Sequence, residues 1–224
     1  MVLSAAHSKL GEGIYSVSDI SFLLNLPKHK VRRWLNDFWD SRLAEKYSQR
    51  YSWGTGRDQA TNFYTLIEFY VFYCLRESGV SQRKIFEAHE NIARQLNTQY
   101  PFASAKLLTD GKSILYSLED GTTVKADKTR QIALRQIIES FCKKIEFSGN
   151  NLAEKYYPLG RNKHIVVDPH HQFGQPVIEK TNVLAETIYN MHSAGESNQF
   201  LSRLYDVSLK EVQAAISLFN NKAA

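Results

Sequence analysis

The 224-residue chain is short of cysteine: Cys74 and Cys142 stand alone and far apart. That spacing makes neither a zinc site nor a disulfide framework, so both are expected to be reduced, buried thiols. Long apolar runs are missing as well. No segment approaches the roughly 18 uninterrupted apolar residues of a membrane span, and the N-terminus carries no basic region followed by an apolar core of the secretory type. A soluble, cytoplasmic protein with no membrane partner is the expectation. Nucleophile elbow, P-loop and His-Glu-x-x-His patterns are absent. Gly54-x-Gly56 is no nucleotide fingerprint, because it is not a glycine turn between a buried strand and a helix. No catalytic, metal or cofactor-binding residue is therefore assigned, and the chain reads as a binding protein, not an enzyme.

What the sequence does have is apolar mass and a localised charge. With 43% apolar and 12% aromatic residues it can fill one large core or two small ones. Its net charge is +5. All of that excess lies between Lys28 and Arg57, where Lys28, Lys30, Arg32, Arg33, Arg42, Lys46, Arg50 and Arg57 oppose only Asp37, Asp40 and Glu45; the other 194 residues hold twenty basic and twenty acidic side chains. A surface that faces phosphate looks like this in sequence.

Order begins at Tyr15, after a loose N-terminal arm. Ser16 and Asp19 form a capping-box pattern, Ile20, Leu23 and Leu24 give a short apolar face, and Asn25-Leu26-Pro27 interrupts it. In the next helix Val31, Trp34, Leu35 and Phe38 share one face and are expected in the core. The opposite face carries His29, Arg32, Arg33 and Asn36, where arginine suits guanine, asparagine suits adenine, and both can contact phosphate. Tyr47 to Trp53 alternates aromatic and polar residues, Gly54-Thr55-Gly56-Arg57 supplies a turn, and Asn62-Phe63-Tyr64 reads as the returning strand. Lys28, His29, Arg32, Arg33, Asn36, Arg50 and Arg57 are thus the candidate DNA-binding residues, Arg50 and Arg57 on the backbone only. The segment from Tyr15-x-Val17-x-x-Ile20 through Val31-x-x-Trp34-Leu35 resembles the MerR-type winged helix-turn-helix.

In the middle, Thr65 with Glu68 reads as another capping box, ahead of a helix that is apolar almost all round from Leu66 to Leu75. Such a helix is buried on most sides, inside one protomer or across a dimer seam. Gly79 ends it, and Ser81 caps a helix with Ile85, His89, Ile92, Ala93 and Leu96 on one face, His89 packing at the core edge. A hairpin is expected from Ile114 to Lys125 around Asp120-Gly121, a helix from about Thr129 to Phe141, and a last hairpin pairing Ile145 and Phe147 with Leu152 to Tyr157.

From Ile165 the signals become more specific. Ile165-Val166-Val167 is a strand ending at Asp168-Pro169, and Gln175-Pro176-Val177-Ile178 is a second short strand whose proline suggests a small, peripheral pair. Leu184, Ile188 and Met191 then share a helical face closed by Gly195; Ser197 caps a second helix with Phe200, Leu201 and Leu204 inward; and Ser208 with Glu211 makes a capping box for a third, with Val212, Ala215, Ile216 and Phe219 inward. Two helices joined by Tyr205-Asp206-Val207 are a helix-turn-helix pattern.

This region resembles a bacterial domain family of unknown function found in VapB-type antitoxins of toxin-antitoxin pairs. The likeness is carried by Asp168-Pro169, Gly174-x-Pro176-Val177-Ile178, Thr181-x-Val183, Gly195-x-Ser197, and Val207-Ser208 ahead of Val212, Ala214 and Ala215. Two positions depart: Lys180 stands where the family usually has glycine, and Asn182 where it has arginine. The resemblance implies an antitoxin that represses its own operon and neutralises a cognate PIN-domain ribonuclease toxin, and the family carries a MerR-like module at its N-terminus. The expected chain is α+β and mostly helical. Residues 14–160 hold a winged helix-turn-helix with middle helices and hairpins, and residues 161–224 the small strand pair and three-helix domain. Expected partners are double-stranded operator DNA, the toxin, and a second copy in a homodimer. Two alternatives stay open: a MerR-like transcription regulator whose middle region binds a small effector, and a metal-dependent enzyme using His164, Asp168, His170 and His171.

Overall fold

A computed structural model describes residues 11–104, 139, 141, 143–149 and 152–220. The hairpin expected over 114–125, nearly all of the helix expected over 129–141, and Cys142 lie outside the described residues. The architecture is mixed α+β and mostly helical, with short strand pairs between the helices. No helix among the described residues is long and apolar enough to cross a membrane. Two compact units divide the chain: residues up to Phe63 together with those from Lys155 onward, and Tyr64–Glu154. This differs from the division expected near residue 160. The N-terminal segment shares its unit with the C-terminal module rather than with the middle helices.

In the first unit, β1 (Tyr15–Ser16) leads into α1 (Val17–Leu24), whose start is closed by reciprocal hydrogen bonds between Ser16 and Asp19. Asn25 ends the helix in the left-handed region at φ 53°, a conformation asparagine tolerates. Buried Leu26 and then Pro27 turn the chain into α2 (Lys28–Trp34). The axis continues through a widened π-helical segment (Leu35–Leu43) into α3 (Ala44–Tyr47). Val31, Trp34, Leu35 and Trp39 are buried with Ile20, Leu23 and Leu24, whereas Phe38 is only half-buried. The hairpin is shorter than its alternation suggests: β2 is Ser52–Trp53 and the returning β3 is Ala60–Thr61, not Asn62–Tyr64. Residues 44–47 stay helical until Ser48 breaks them at φ 53°, and Phe63-Tyr64 already opens the next helix. β3 lies between β1 and β2, in antiparallel register Tyr15↔Thr61 and Ser52↔Thr61.

The C-terminal half of this unit contains β6 (Ile165–Val166) paired antiparallel with β7 (Val177–Ile178), then α6 (Ala185–Ser193), α7 (Asn198–Leu204) and α8 (Leu209–Asn220). The strand pair is not peripheral, contrary to expectation: Ile165 and Ile178 are wholly buried in one core with Ile188, Leu201, Val212 and Ala215. Pro176 precedes β7 and so removes no ladder donor from it. Phe22 of α1 packs on the same core, its ring centroid 4.8 Å from that of Phe219. Tyr15 makes a second joint. A Cβ built on Gly174, which has φ +81°, would lie 2.1 Å from the Tyr15 hydroxyl. Burial, then nearby Asp168 and Asp19, push that hydroxyl's pKa upward. At the first departure from the family pattern, Lys180 holds φ 65°, which explains why glycine is the ordinary choice there.

The second unit is built on α4 (Phe63–Glu77) and α5 (Gln82–Leu96), followed by the pairing of β4 (Ile145–Phe147) with β5 (Ala153–Tyr156). The expected Thr65–Glu68 capping box does not form. The helix begins at Phe63, three residues before the expected Leu66, so both side chains lie inside its first turns and both are fully buried. Glu68 instead faces His89, with Oε2 2.8 Å from Nε2, while its Oε1 accepts the Phe102 N–H at 2.7 Å. His89 is therefore a deep core residue, 1% exposed, rather than one at the core edge. Leu66, Ile67, Phe69, Val71 and Leu75 are buried by the chain itself, so the apolar helix α4 does not call for a second protomer to cover it. Burial pushes the Cys74 thiol up to about 11.

Candidate nucleic-acid interface

Helix α2 is held by its buried face, and what remains outside is cationic. Lys28, His29, Arg32, Arg33 and Asn36 are all exposed, on the side opposite Val31, Trp34 and Leu35. Lys30 is half-buried, its ammonium 4.9 Å from the centroid of the Trp34 ring. Arg50 is exposed just before β2, and Arg57 is exposed in the single helical turn Gly56–Asp58 between β2 and β3. Each sequence-derived residue is thus at the surface, in two groups: five along the helix and two on or beside the hairpin. The hairpin tip depends on Gly54 at φ +71°, where a Cβ would meet the Asp58 carbonyl oxygen at 2.3 Å.

A set of polar side chains that sequence reasoning passed over ties the hairpin to the helix. Asp40 Oδ1 accepts the backbone N–H groups of Tyr51 and Ser52 at 2.9 and 3.0 Å, and Asp40 Oδ2 accepts the Ser52 hydroxyl. Gln59, 7% exposed at the start of the returning strand, donates from Nε2 to Ser52 Oγ at 3.2 Å and to Asn36 Oδ1 at 2.7 Å. Thr61 donates to the Tyr51 carbonyl at 2.5 Å. The one available signal was position: Asp40 follows Asn36 by four residues, an acid on the hairpin side of an otherwise basic segment.

The second helical pair presents a different surface. In α7 only Leu201 of the expected apolar face is buried; Phe200 and Leu204 are 45% and 52% exposed, and Leu209 at the start of α8 is 43% exposed. The inward assignment of Phe200 and Leu204 is therefore corrected: i, i+4 spacing makes them one stripe, but seven residues are too short a helix to bury both sides. Ser197 caps α7 and Ser208 with Glu211 closes α8, as expected.

The ligand-capable turn does not converge on a point. His164 Nδ1 is 2.9 Å from Glu179 Oε2, His170 Nδ1 is 3.5 Å from Asp168, and His171 Nε2 is 3.1 Å from the Thr181 carbonyl. Burial raises the Glu179 carboxyl, but hydrogen bonds from His164 and Tyr157 outweigh it and leave its pKa lowered. Among the described residues, no three His, Cys, Asp or Glu side chains are grouped to hold a metal. A groove of about 600 Å³ in the first unit, bordered by Asp19, Phe22, Lys28, Pro176, Glu186 and Phe219, has a mixed lining without a nucleophile-base pair.

Comparison with known proteins agrees with the C-terminal resemblance. Residues 165–218 match the family described as "Protein of unknown function (DUF433)". The whole chain is also similar to a curated protein of Mycobacterium tuberculosis named "Putative antitoxin VapB45", with 22% identity over 222 residues covering 91% of this chain and 92% of that one. The crystal structure of Rv2018 from Mycobacterium tuberculosis shares the fold, with a TM-score of 0.73 at 20% identity, covering 95% of this chain and 99% of the other.

Proposed function

We propose that the protein is a DNA-binding antitoxin that represses its own operon and neutralises a ribonuclease toxin, with α1, α2 and the β2–β3 hairpin acting as a winged helix-turn-helix of MerR type. The observation that carries the reading is the exposed row Lys28, His29, Arg32, Arg33 and Asn36 on a helix whose other face is core, beside a glycine-turned hairpin bearing Arg57. Helix dimensions suit the major groove, and a hairpin tip beside it reaches only sugar and phosphate. The full-length likeness to a protein named as an antitoxin supports the toxin half of the reading. We assign the toxin contact to Phe200, Leu204 and Leu209. Residues 165–224 hold four basic and six acidic side chains, a poor phosphate surface but complementary to a nuclease that must itself hold a polyanion. The toxin is of the PIN-domain class, and the DNA-bound species is a two-fold dimer matching paired half-sites.

A salt titration of binding to the DNA upstream of the protein's own gene, against scrambled DNA, tests this. Arg32→Ala and Arg33→Ala should each cost about 1 to 3 kcal/mol on specific DNA and relax one base position. Arg57→Ala should weaken binding to both DNAs alike and lower the salt slope by about one unit. Unchanged affinity in both helix variants removes α2 as the reader.

A further inference from the structure

The hydrogen-bond chain between the hairpin and the helix has a direction. It starts at Asp40, whose ionised carboxylate can only accept. Asp40 takes two backbone N–H groups and the Ser52 hydroxyl proton. Having given up its one proton, the Ser52 oxygen can meet Gln59 only as an acceptor, so the Gln59 atom beside it at 3.2 Å must be the amide nitrogen. That nitrogen has a second N–H, and at 2.7 Å it meets the amide of Asn36, whose facing atom must then be the oxygen. The direction of both amides thus follows from the network rather than from their shape. Ser52 and Gln59 are buried, so water does not compete for these bonds. Asn36 is exposed on the face that carries Arg32 and Arg33, and its Nδ2 has no partner among the described residues.

We propose that Asn36 is a one-way hydrogen-bond donor on the reading face, selecting a base whose major-groove edge offers acceptors and no amino donor, guanine or thymine, and that Asp40, Ser52 and Gln59 are the positioning residues that set its direction. The proposal rests on the DNA-binding reading above and refines it. An asparagine free to present both amide atoms pairs with adenine, accepting from N6 and donating to N7. With its oxygen held inward, Asn36 can still donate to adenine N7 but meets the adenine N6 amino group donor to donor and loses that second bond, finds no acceptor on cytosine, and meets guanine O6 and N7 or thymine O4 donor to acceptor. Arg32 and Arg33 beside it are donors only. Arg32, Arg33 and Asn36 together therefore ask for acceptors, which adenine-directed asparagine chemistry would not predict.

The test is selection of bound sequences from a randomised double-stranded DNA library by the full-length protein and by Asn36→Ala, Asn36→Asp and Gln59→Met, each checked for folding by circular dichroism melting. The wild-type protein should enrich guanine or thymine at one position by about ten-fold over adenine. Asn36→Ala should flatten that position alone. Asn36→Asp keeps an oxygen for Gln59 and presents a second one outward, so the preference should move to cytosine or adenine. Gln59→Met should release the Asn36 amide and let adenine in, a change in base preference that loss of stability does not produce. An adenine preference that Asn36→Ala abolishes, or an equal loss of affinity for all sequences in that variant, overturns the inference while leaving the protein a DNA binder. An unchanged profile in folded Gln59→Met overturns the positioning role; if that variant does not fold, the two substitutions at exposed Asn36 decide the donor assignment. No enrichment of any sequence by the wild-type protein removes the DNA-binding reading and this inference together.

Discussion

The chain contains two pairs of consecutive helices joined by the same turn and finished with opposite surfaces. Between α1 and α2, Asn25 takes φ 53°, the Leu26 N–H donates to the Ser21 carbonyl at 3.0 Å, and the Ser21 hydroxyl returns a bond to the Leu26 carbonyl at 2.5 Å. Between α7 and α8, Asp206 takes φ 52°, the Val207 N–H donates to the Ser202 carbonyl at 3.0 Å, and the Ser202 hydroxyl returns a bond to the Val207 carbonyl at 2.5 Å. In both, the residue after the left-handed one is a buried aliphatic side chain, Leu26 or Val207. The turn chemistry therefore specifies the helix pair and says nothing about its use. The two pairs differ on the outer face, which carries cationic donors on α2 and the exposed Phe200 and Leu204 on α7, and the proposed function places their separate uses there.

The largest expected effect falls on the joint that both pairs depend on. Gly174→Ala places a methyl group at φ +81° and against the buried Tyr15 hydroxyl, so the backbone and the ring must both give way. A loss of about 3 kcal/mol is expected, from left-handed strain together with overpacking. Because β1 and the C-terminal module share that contact, DNA binding and toxin neutralisation should fail together. Denaturant unfolding of the purified variant checks the stability, and a loss below about 1 kcal/mol would mean that Tyr15 moves aside freely. For the same reason, removal of residues 165–224 should not leave a working N-terminal module: Phe22 would lose Phe219 and the core on which it packs.

Next in size is the contrast between the two outer faces. Phe200→Lys with Leu204→Lys should leave unfolding within about 0.5 kcal/mol of wild type, since both side chains are solvated. Toxin affinity should fall by about 2 kcal/mol or more, as for apolar anchors at an interface centre. DNA affinity should be unaffected. Pull-down by the tagged toxin against DNA binding by the same preparation separates the two, and a variant that still neutralises the toxin places the contact elsewhere.

The legible part of this molecule was its local grammar. The Ser16–Asp19 and Ser208–Glu211 boxes, the Ser81 and Ser197 caps and the core residues Val31, Trp34, Val212 and Ala215 all follow from short-range periodicity and capping. Illegible were interactions whose partners lie far apart in sequence. Glu68 has the spacing of a cap residue, yet its partners are His89 and Phe102, 21 and 34 residues away. Asp40 and Gln59 look like ordinary surface polar residues until the hairpin folds back over the helix. Phe200 and Leu204 erred in the other direction. Periodicity reports that a helix has an apolar stripe, and cannot report whether the chain or a partner covers it.

The smallest effect is the most direct trial of the likeness between the turns. Ser21→Ala and Ser202→Ala each delete one hydroxyl that bonds the carbonyl two to three positions beyond the end of its own helix, in equally half-buried settings. A hydrogen bond of this kind contributes about 1 kcal/mol net. Both variants should therefore melt about 2 to 4 °C below wild type, and by nearly the same amount. Their functional consequences should differ. Ser21→Ala loosens the seating of α2 and should reduce discrimination between specific and scrambled DNA, whereas Ser202→Ala loosens Val207 and α7 and should act on toxin binding. Differential scanning calorimetry gives the first comparison and the two binding assays the second. If Ser202→Ala costs nothing while Ser21→Ala costs the full amount, the C-terminal turn is held by Val207 burial alone. The likeness between the two turns is then geometric rather than energetic.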